Sequence, residues 1–183
     1  MLEGMCTVLG LIQGVLVACN KRSNWIFYLL QMAGLFIFSL VNRLYGDMIN
    51  DAVYLVIGTV GLIRWGQEKH SRITAAGTKE RLVYAALIAA ATGVLYVFLR
   101  ATDDPLPLLD AFTTVSSFAA TYYMMMKKLD AWILWFINDI FYVAEYFLLP
   151  DQAILLAVLN IIWTALAVYS YIRWRSIMKR EEV

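Results

Sequence analysis

The stretch Trp132–Phe147, WILWFINDIFYVAEYF, is apolar enough for a bilayer, yet its centre holds an amide and a carboxylate, Asn138 and Asp139. A helix advances about 100° per residue, so Trp132, Trp135, Asp139, Tyr142 and Tyr146 share one stripe about 80° wide, with Asn138 and Glu145 at its borders. The carboxylate and the rings therefore face the same space. Such groups bind rather than make or break bonds. Amides and carboxylates take hydroxyls and amides of a ligand. Aromatic faces stack on planar heterocycles, and indoles attract a quaternary cation by roughly 0.5–2 kcal/mol. The expected guest is a small, planar, polar solute, including a cationic one.

Depth sharpens this reading. Asp139 lies seven residues past Trp132, about 10 Å along the helix. A carboxylate exposed to lipid at the centre of a span costs about 2.5–3.5 kcal/mol or more. Asp139 must face the protein interior or a wet cavity. No Lys or Arg lies at that depth in any span, which favours water or a ligand as its partner over a salt bridge. Other apolar stretches offer companions: Tyr28 with Gln31, Asp51 with Tyr54, and Asn160 with Trp163. For Asp51, a solvated position near a helix start stands as an equal alternative. Trp25, Trp65 and Trp174 are expected in the aromatic belt at a membrane interface; for Trp132 the belt and the polar stripe are both open.

The elements that must position these residues are membrane spans. Of 183 residues, 62% are hydrophobic, and the mean hydropathy of +0.67 is that of a polytopic membrane protein. A helix crosses a bilayer in roughly 20 residues. Seven spans fit, at about 4–20, 24–41, 47–65, 82–100, 106–126, 131–149 and 152–172. The fold expected is an all-α, single transmembrane domain over 1–183, because the longest loop, 66–81, is too short for a soluble domain. The net charge of +1 gives no reason to expect nucleic acid as a partner; the lipid bilayer is the surrounding medium. Thirteen of the fifteen Lys and Arg residues follow spans one, three, five and seven. The positive-inside rule then sets the N-terminus outside and the C-terminus in the cytoplasm. Asp47, Asp103, Asp104 and Asp151 fall in the outer loops.

Several classes drop out. Cys6 and Cys19 share one helix about 20 Å apart, too far for a disulfide. Met1-Leu2-Glu3 lacks the positive start of a cleaved signal peptide. His70 stands alone in a charged loop, so no metal site is expected. No nucleophile–base constellation supports an enzyme. No Lys lies within a span to form a Schiff base, which argues against a light sensor. No cofactor is implied.

The chain also repeats itself. WIFYLLQ from Trp25 matches WILWFIN from Trp132, giving Trp25, Tyr28 and Gln31 against Trp132, Trp135 and Asn138. LIRW ends one copy at Trp65, and YIRW ends the other at Trp174. The offset drifts only from 107 to 109. Both copies run in the same direction through the membrane, so an extra span must link them. The arrangement expected is three plus one plus three: repeat 1 at about 4–65, a linker helix at 82–100 and repeat 2 at about 106–174. Parallel repeats about an axis along the membrane normal are a transporter plan with the substrate at the repeat interface. Small residues at Ala85, Ala89 and Gly93, and at Thr113, Ser117 and Thr121, predict close helix packing.

These motifs resemble the nicotinamide riboside (PnuC-type) vitamin transporters. The resemblance covers nearly the whole chain and is strongest in Asn24–Trp65, in LDAFTTVSS (Leu109–Ser117) and in WILWFINDIFYVAEY (Trp132–Tyr146). It implies a SWEET-like three-plus-one-plus-three bundle, a homotrimer in the bacterial inner membrane, and facilitated diffusion with trapping by intracellular phosphorylation. By position, Trp132 and Trp135 match the aromatic pair of the motif, Asp139 a position held by Asn or Asp, and Gln31 the first-repeat amide. Asp51 falls where a polar residue such as Gln is expected. An extra N-terminal span found in some members is not expected here. Related members carry thiamine or riboflavin, so thiamine transport is the sister expectation. A proton-coupled carrier using Asp139 or Glu145 as a relay is a further alternative.

Overall fold

The computed structural model describes residues 2–67, 72–149 and 154–181. His70 and Asp151 lie outside the described residues. The described residues form seven helices: α1 (Leu2–Ala18), α2 (Asn24–Val41), α3 (Tyr45–Arg64), α4 (Thr78–Leu99), α5 (Pro107–Met125), α6 (Asp130–Leu148) and α7 (Ile154–Glu181). The only extended pairing among the described residues is an isolated bridge between Thr74 and Lys128. The fold is all-α, and α2, α4 and α6 are long and apolar enough to cross a membrane by composition alone.

Two helices outrun their expected spans. α4 starts four residues early, through Thr78-Lys79-Glu80-Arg81, and α7 runs nine residues past 172. Hydropathy marks where a chain leaves lipid, not where a helix stops. Neither extension contains Gly or Pro, and Lys179 and Arg180 in the last turn of α7 complement the helix dipole.

The chain forms two compact units. The first comprises α1–α3, residues 125–127, and α7 from Arg173 onward. In it α2 packs on both α1 and α3. Glycines make this contact close: a Cβ at Gly61 would sit 2.6 Å from the Trp25 indole, and one at Gly10 would sit 2.7 Å from Gln31 Nε2. Trp25, Trp65 and Trp174 are buried at 0%, 6% and 0% exposure, so they are core residues here and the expected lipid-facing belt is corrected. For Trp65 and Trp174 the reason is hydrogen bonding at helix ends. The last carbonyls of a helix lack intrahelical partners. Trp65 Nε1 donates to Met125 O at the end of α5 (3.1 Å), and Trp174 Nε1 donates to Val17 O near the end of α1 (2.9 Å). The two indoles meet at 5.9 Å between centroids. Lys127 is buried beside them, with Nζ 4.4 Å from the centre of the Trp65 ring. Burial pushes its pKa below the ordinary lysine value, while the charge of Glu181 pulls it back up.

The turns before α2 and α6 have the same backbone, 107 residues apart. Asn20 and Lys127 both take left-handed φ, 53° and 54°. Lys21 N donates to Leu16 O at 3.0 Å, and Lys128 N to Tyr123 O at 2.9 Å. This is the 6→1 bond of a Schellman cap. The next bonds also correspond: Asn24 N to Lys21 O with Ala131 N to Lys128 O, and Trp25 N to Arg22 O with Trp132 N to Leu129 O.

The second unit comprises α4, α5, α6 and α7 up to Ile172. Asp130, in the first turn of α6, is buried and accepts from Ala76 N at 2.7 Å and Arg81 Nε at 2.6 Å. Lys128 pairs with Glu80 at 3.0 Å, and Leu129 N donates to Thr74 O at 2.8 Å. These contacts tie the start of α4 to the α5–α6 turn. Asp130→Ala leaves a buried N–H unpaired and removes a carboxylate from a helix N-terminus. We expect a loss of about 1.5–3 kcal/mol, measured as a lower melting temperature in detergent; an unchanged melt would show that the tie carries no stability.

The two stripes of small residues differ. Thr113, Ser117 and Thr121 on α5 are buried, as close packing requires. Ala85, Ala89 and Gly93 on α4 are exposed, and a Cβ at Gly93 would meet nothing within 4 Å. The packing expected of the α4 stripe is therefore corrected for this chain. Small size permits close approach but supplies no partner.

Candidate functional site

α6 turns its polar stripe inward. Trp132, Asn138 and Asp139 are 4%, 0% and 5% exposed, Trp135, Tyr142 and Tyr146 are half-buried, and Ile133, Phe136, Ile137 and Ile140 face out. This follows from the sequence: apolar residues cover the lipid side, and the groups too polar for hydrocarbon turn away from it. Tyr142 and Tyr146, one turn apart, stack with centroids at 5.9 Å and planes 11° apart.

α5 supports this stripe. Phe112 packs edge-on against Phe141 at 4.7 Å. Ser116 Oγ lies 2.6 Å from Asn138 Oδ1, and Thr113 Oγ1 donates to Glu145 Oε2 at 3.3 Å. What remains unmatched is informative. Trp135 Nε1 and Asn138 Nδ2 are buried atoms without a hydrogen-bond partner among the described residues. The Asp139 carboxylate has no hydrogen-bond or ion-pair partner among the described residues. Buried polar groups are ordinarily satisfied. Here two donors and an acceptor, all within about one turn of one helix, are not. On α7, Asn160 and Trp163 are half-buried, and Asn160 O accepts from Thr164 Oγ1 at 2.8 Å. These residues all belong to the second unit.

The remaining candidates belong to the first unit. Tyr28 is buried and meets Tyr54 edge-on at 6.3 Å and Trp25 at 5.4 Å. Gln31 lies against Gly10 of α1. Asp51 is buried and accepts from Ser39 Oγ at 3.0 Å, which overturns the alternative of a solvated helix-start residue. α3 begins six residues before it, so Asp51 is in the second turn, facing α2. Ser39 and Ser116 escaped the sequence reading. Their signal was a hydroxyl inside an apolar span; on α5 the sequence expectation of close packing covers Thr113, Ser117 and Thr121 and passes over Ser116.

Among the described residues no group of three His, Cys, Asp or Glu could hold a metal. Both cysteines are free thiols.

Long apolar helices with polar groups turned inward define a multi-pass membrane protein. The match of residues 1–176 to the model of the nicotinamide mononucleotide transporter family is specific, and the chain belongs to that family. It is a transporter family, not an enzyme family. A curated relative, the nicotinamide riboside transporter PnuC of Neisseria mucosa, is 25% identical over 98% of this chain and 73% of its own length. The crystal structure of the vitamin B3 transporter PnuC superposes with a TM-score of 0.77 at 25% identity, covering 98% of this chain and 82% of that one.

Proposed function

We propose that the protein carries nicotinamide riboside across the bacterial inner membrane by facilitated diffusion, and that intracellular phosphorylation traps the solute. The carrying observation is the α6 stripe, where the buried Asp139 carboxylate, with no hydrogen-bond or ion-pair partner among the described residues, lies within a turn of the unpaired N–H groups of Trp135 and Asn138. Nicotinamide riboside is a flat pyridinium cation on a ribose. The rings of Trp132, Trp135 and Tyr142 offer faces for the heterocycle, Asp139 the opposite charge, and Asn138 a hydrogen-bonding edge. Tyr28, Gln31, Asp51 and Tyr54 in the first unit, and Asn160 and Trp163 in the second, are proposed as further binding residues, each within its own unit. The two named relatives support the choice of vitamin. The recurrence of one turn after 107 residues supports two like-oriented three-helix repeats joined by α4. The distribution of Lys and Arg supports an outside N-terminus and a cytoplasmic C-terminus. The homotrimer follows the resemblance.

Isothermal titration of the purified protein tests the reading. Micromolar or tighter binding of nicotinamide riboside is expected; binding of thiamine with none of nicotinamide riboside would move the chain to the sister specificity. In proteoliposomes, uptake should be indifferent to a pH gradient. Acceleration by an inward proton gradient would instead make Asp139 or Glu145 part of a proton relay.

A further inference from the structure

Ser116 presents a problem of proton counting. Its Oγ lies 2.6 Å from Asn138 Oδ1, 2.7 Å from Phe112 O and 3.3 Å from Thr113 O. All three are acceptors, and a hydroxyl has one proton. Ser116 and Asn138 are both buried, at 2% and 0% exposure, so no bulk water settles the choice. If the proton went to Phe112 O, Ser116 could only accept from Asn138. The amide would then turn its NH2 to Ser116 and leave its carbonyl oxygen unpaired, one residue from the Asp139 carboxylate, which has no partner among the described residues. Two bare acceptors would share one buried helical turn. Phe112 O does not need the proton, because within α5 it already accepts the backbone N–H of Ser116. The proton belongs on Asn138 Oδ1, and the Nδ2 group is left as the unmatched donor.

We propose that Ser116 is a positioning residue that fixes the Asn138 amide with its NH2 toward the ligand, and that Asn138 and Asp139 together distinguish a primary carboxamide from a carboxylate. The inference rests on the proposed site on α6. Residues 138 and 139 then present a donor followed by an acceptor. A carboxamide answers with its oxygen and its N–H. A carboxylate offers only acceptors, and against Asp139 it adds like charge. Sites built to hydrogen-bond one group reject an analogue that leaves their buried polar groups unpaired far more strongly than sites that exclude by size.

The test is titration calorimetry of the whole protein in detergent with two pyridinium ribosides, the 3-carboxamide and the 3-carboxylate. The unaltered protein is expected to prefer the carboxamide by about 100-fold or more. Ser116→Ala should shrink that ratio at least tenfold, and Ser116→Thr, which keeps the hydroxyl, should restore most of it. A purely structural role for Ser116 would weaken both ligands together and leave the ratio in place. An unchanged ratio in Ser116→Ala overturns the proposal, and so does equal affinity for the two ribosides in the unaltered protein, a comparison that needs no variant to fold. Binding of neither riboside overturns the transport reading as well; binding of both alike overturns this inference alone.

Discussion

Replacing Asp139 with Asn should weaken binding of nicotinamide riboside while making the empty protein more stable. The two effects come from the same fact. Asp139 is 5% exposed, with no hydrogen-bond or ion-pair partner among the described residues. A buried charge without a partner is costly, and Asn keeps the shape without it. A cationic guest repays that cost. At an effective dielectric near 20, unit charges about 4 Å apart attract by about 4 kcal/mol, and part of this is spent on desolvating the guest. We expect Kd to rise roughly 10- to 100-fold. Titration calorimetry and a ligand-free thermal melt read the two arms separately. Asp139→Asn with unaltered affinity would remove the carboxylate from cation recognition; a lower melting temperature would mean that it has a structural partner.

The second large effect concerns Trp174. It is fully buried, its indole packs against Trp65, and its N–H caps α1 through Val17 O. Trp174→Ala empties a large volume and leaves a helix-end carbonyl unpaired. Losses for such truncations run at about 3–5 kcal/mol. Trp174→Phe keeps most of the ring and loses only the donor and part of the volume, so its cost should be smaller, with the hydrogen bond accounting for about 1 kcal/mol. Thermal melts of the two variants in one detergent should fall in that order. Equal, small shifts would show that neither the volume nor the bond matters, and that Trp174 belongs to the lipid interface after all.

The contrast between Asp139 and Trp174 shows what the sequence could reveal. A carboxylate at the centre of an apolar span has no tolerable place in lipid, so composition alone dictates that it turns inward, and α6 bears its polar groups on the side predicted. An indole near a span end is stable either at the headgroups or against a neighbouring helix, and only the partner decides. For Trp65 and Trp174 the partners are backbone carbonyls of α5 and α1, far away in sequence and carrying no mark in it. The same limit explains α4. The spacing of Ala85, Ala89 and Gly93 is real, but nothing in a stripe of small side chains says that another helix lies against it. Ser116 is a subtler case: its hydroxyl was legible as polar, but its bond to Asn138 exists only once α5 lies on α6. The α2 and α6 boundaries were close because charged or polar residues stand at both ends of each apolar run, whereas α7 continued past its apolar run on good helix formers.

The crossed indole bonds have a consequence for how the chain can be divided. Trp65, just after α3, secures the last carbonyl of α5, and Trp174, late in α7, secures one near the end of α1. Neither the N-terminal three helices nor the C-terminal four complete their own helix ends. Severed within the α3–α4 loop, the present chain should yield two fragments that are each unstable alone and recover when coexpressed.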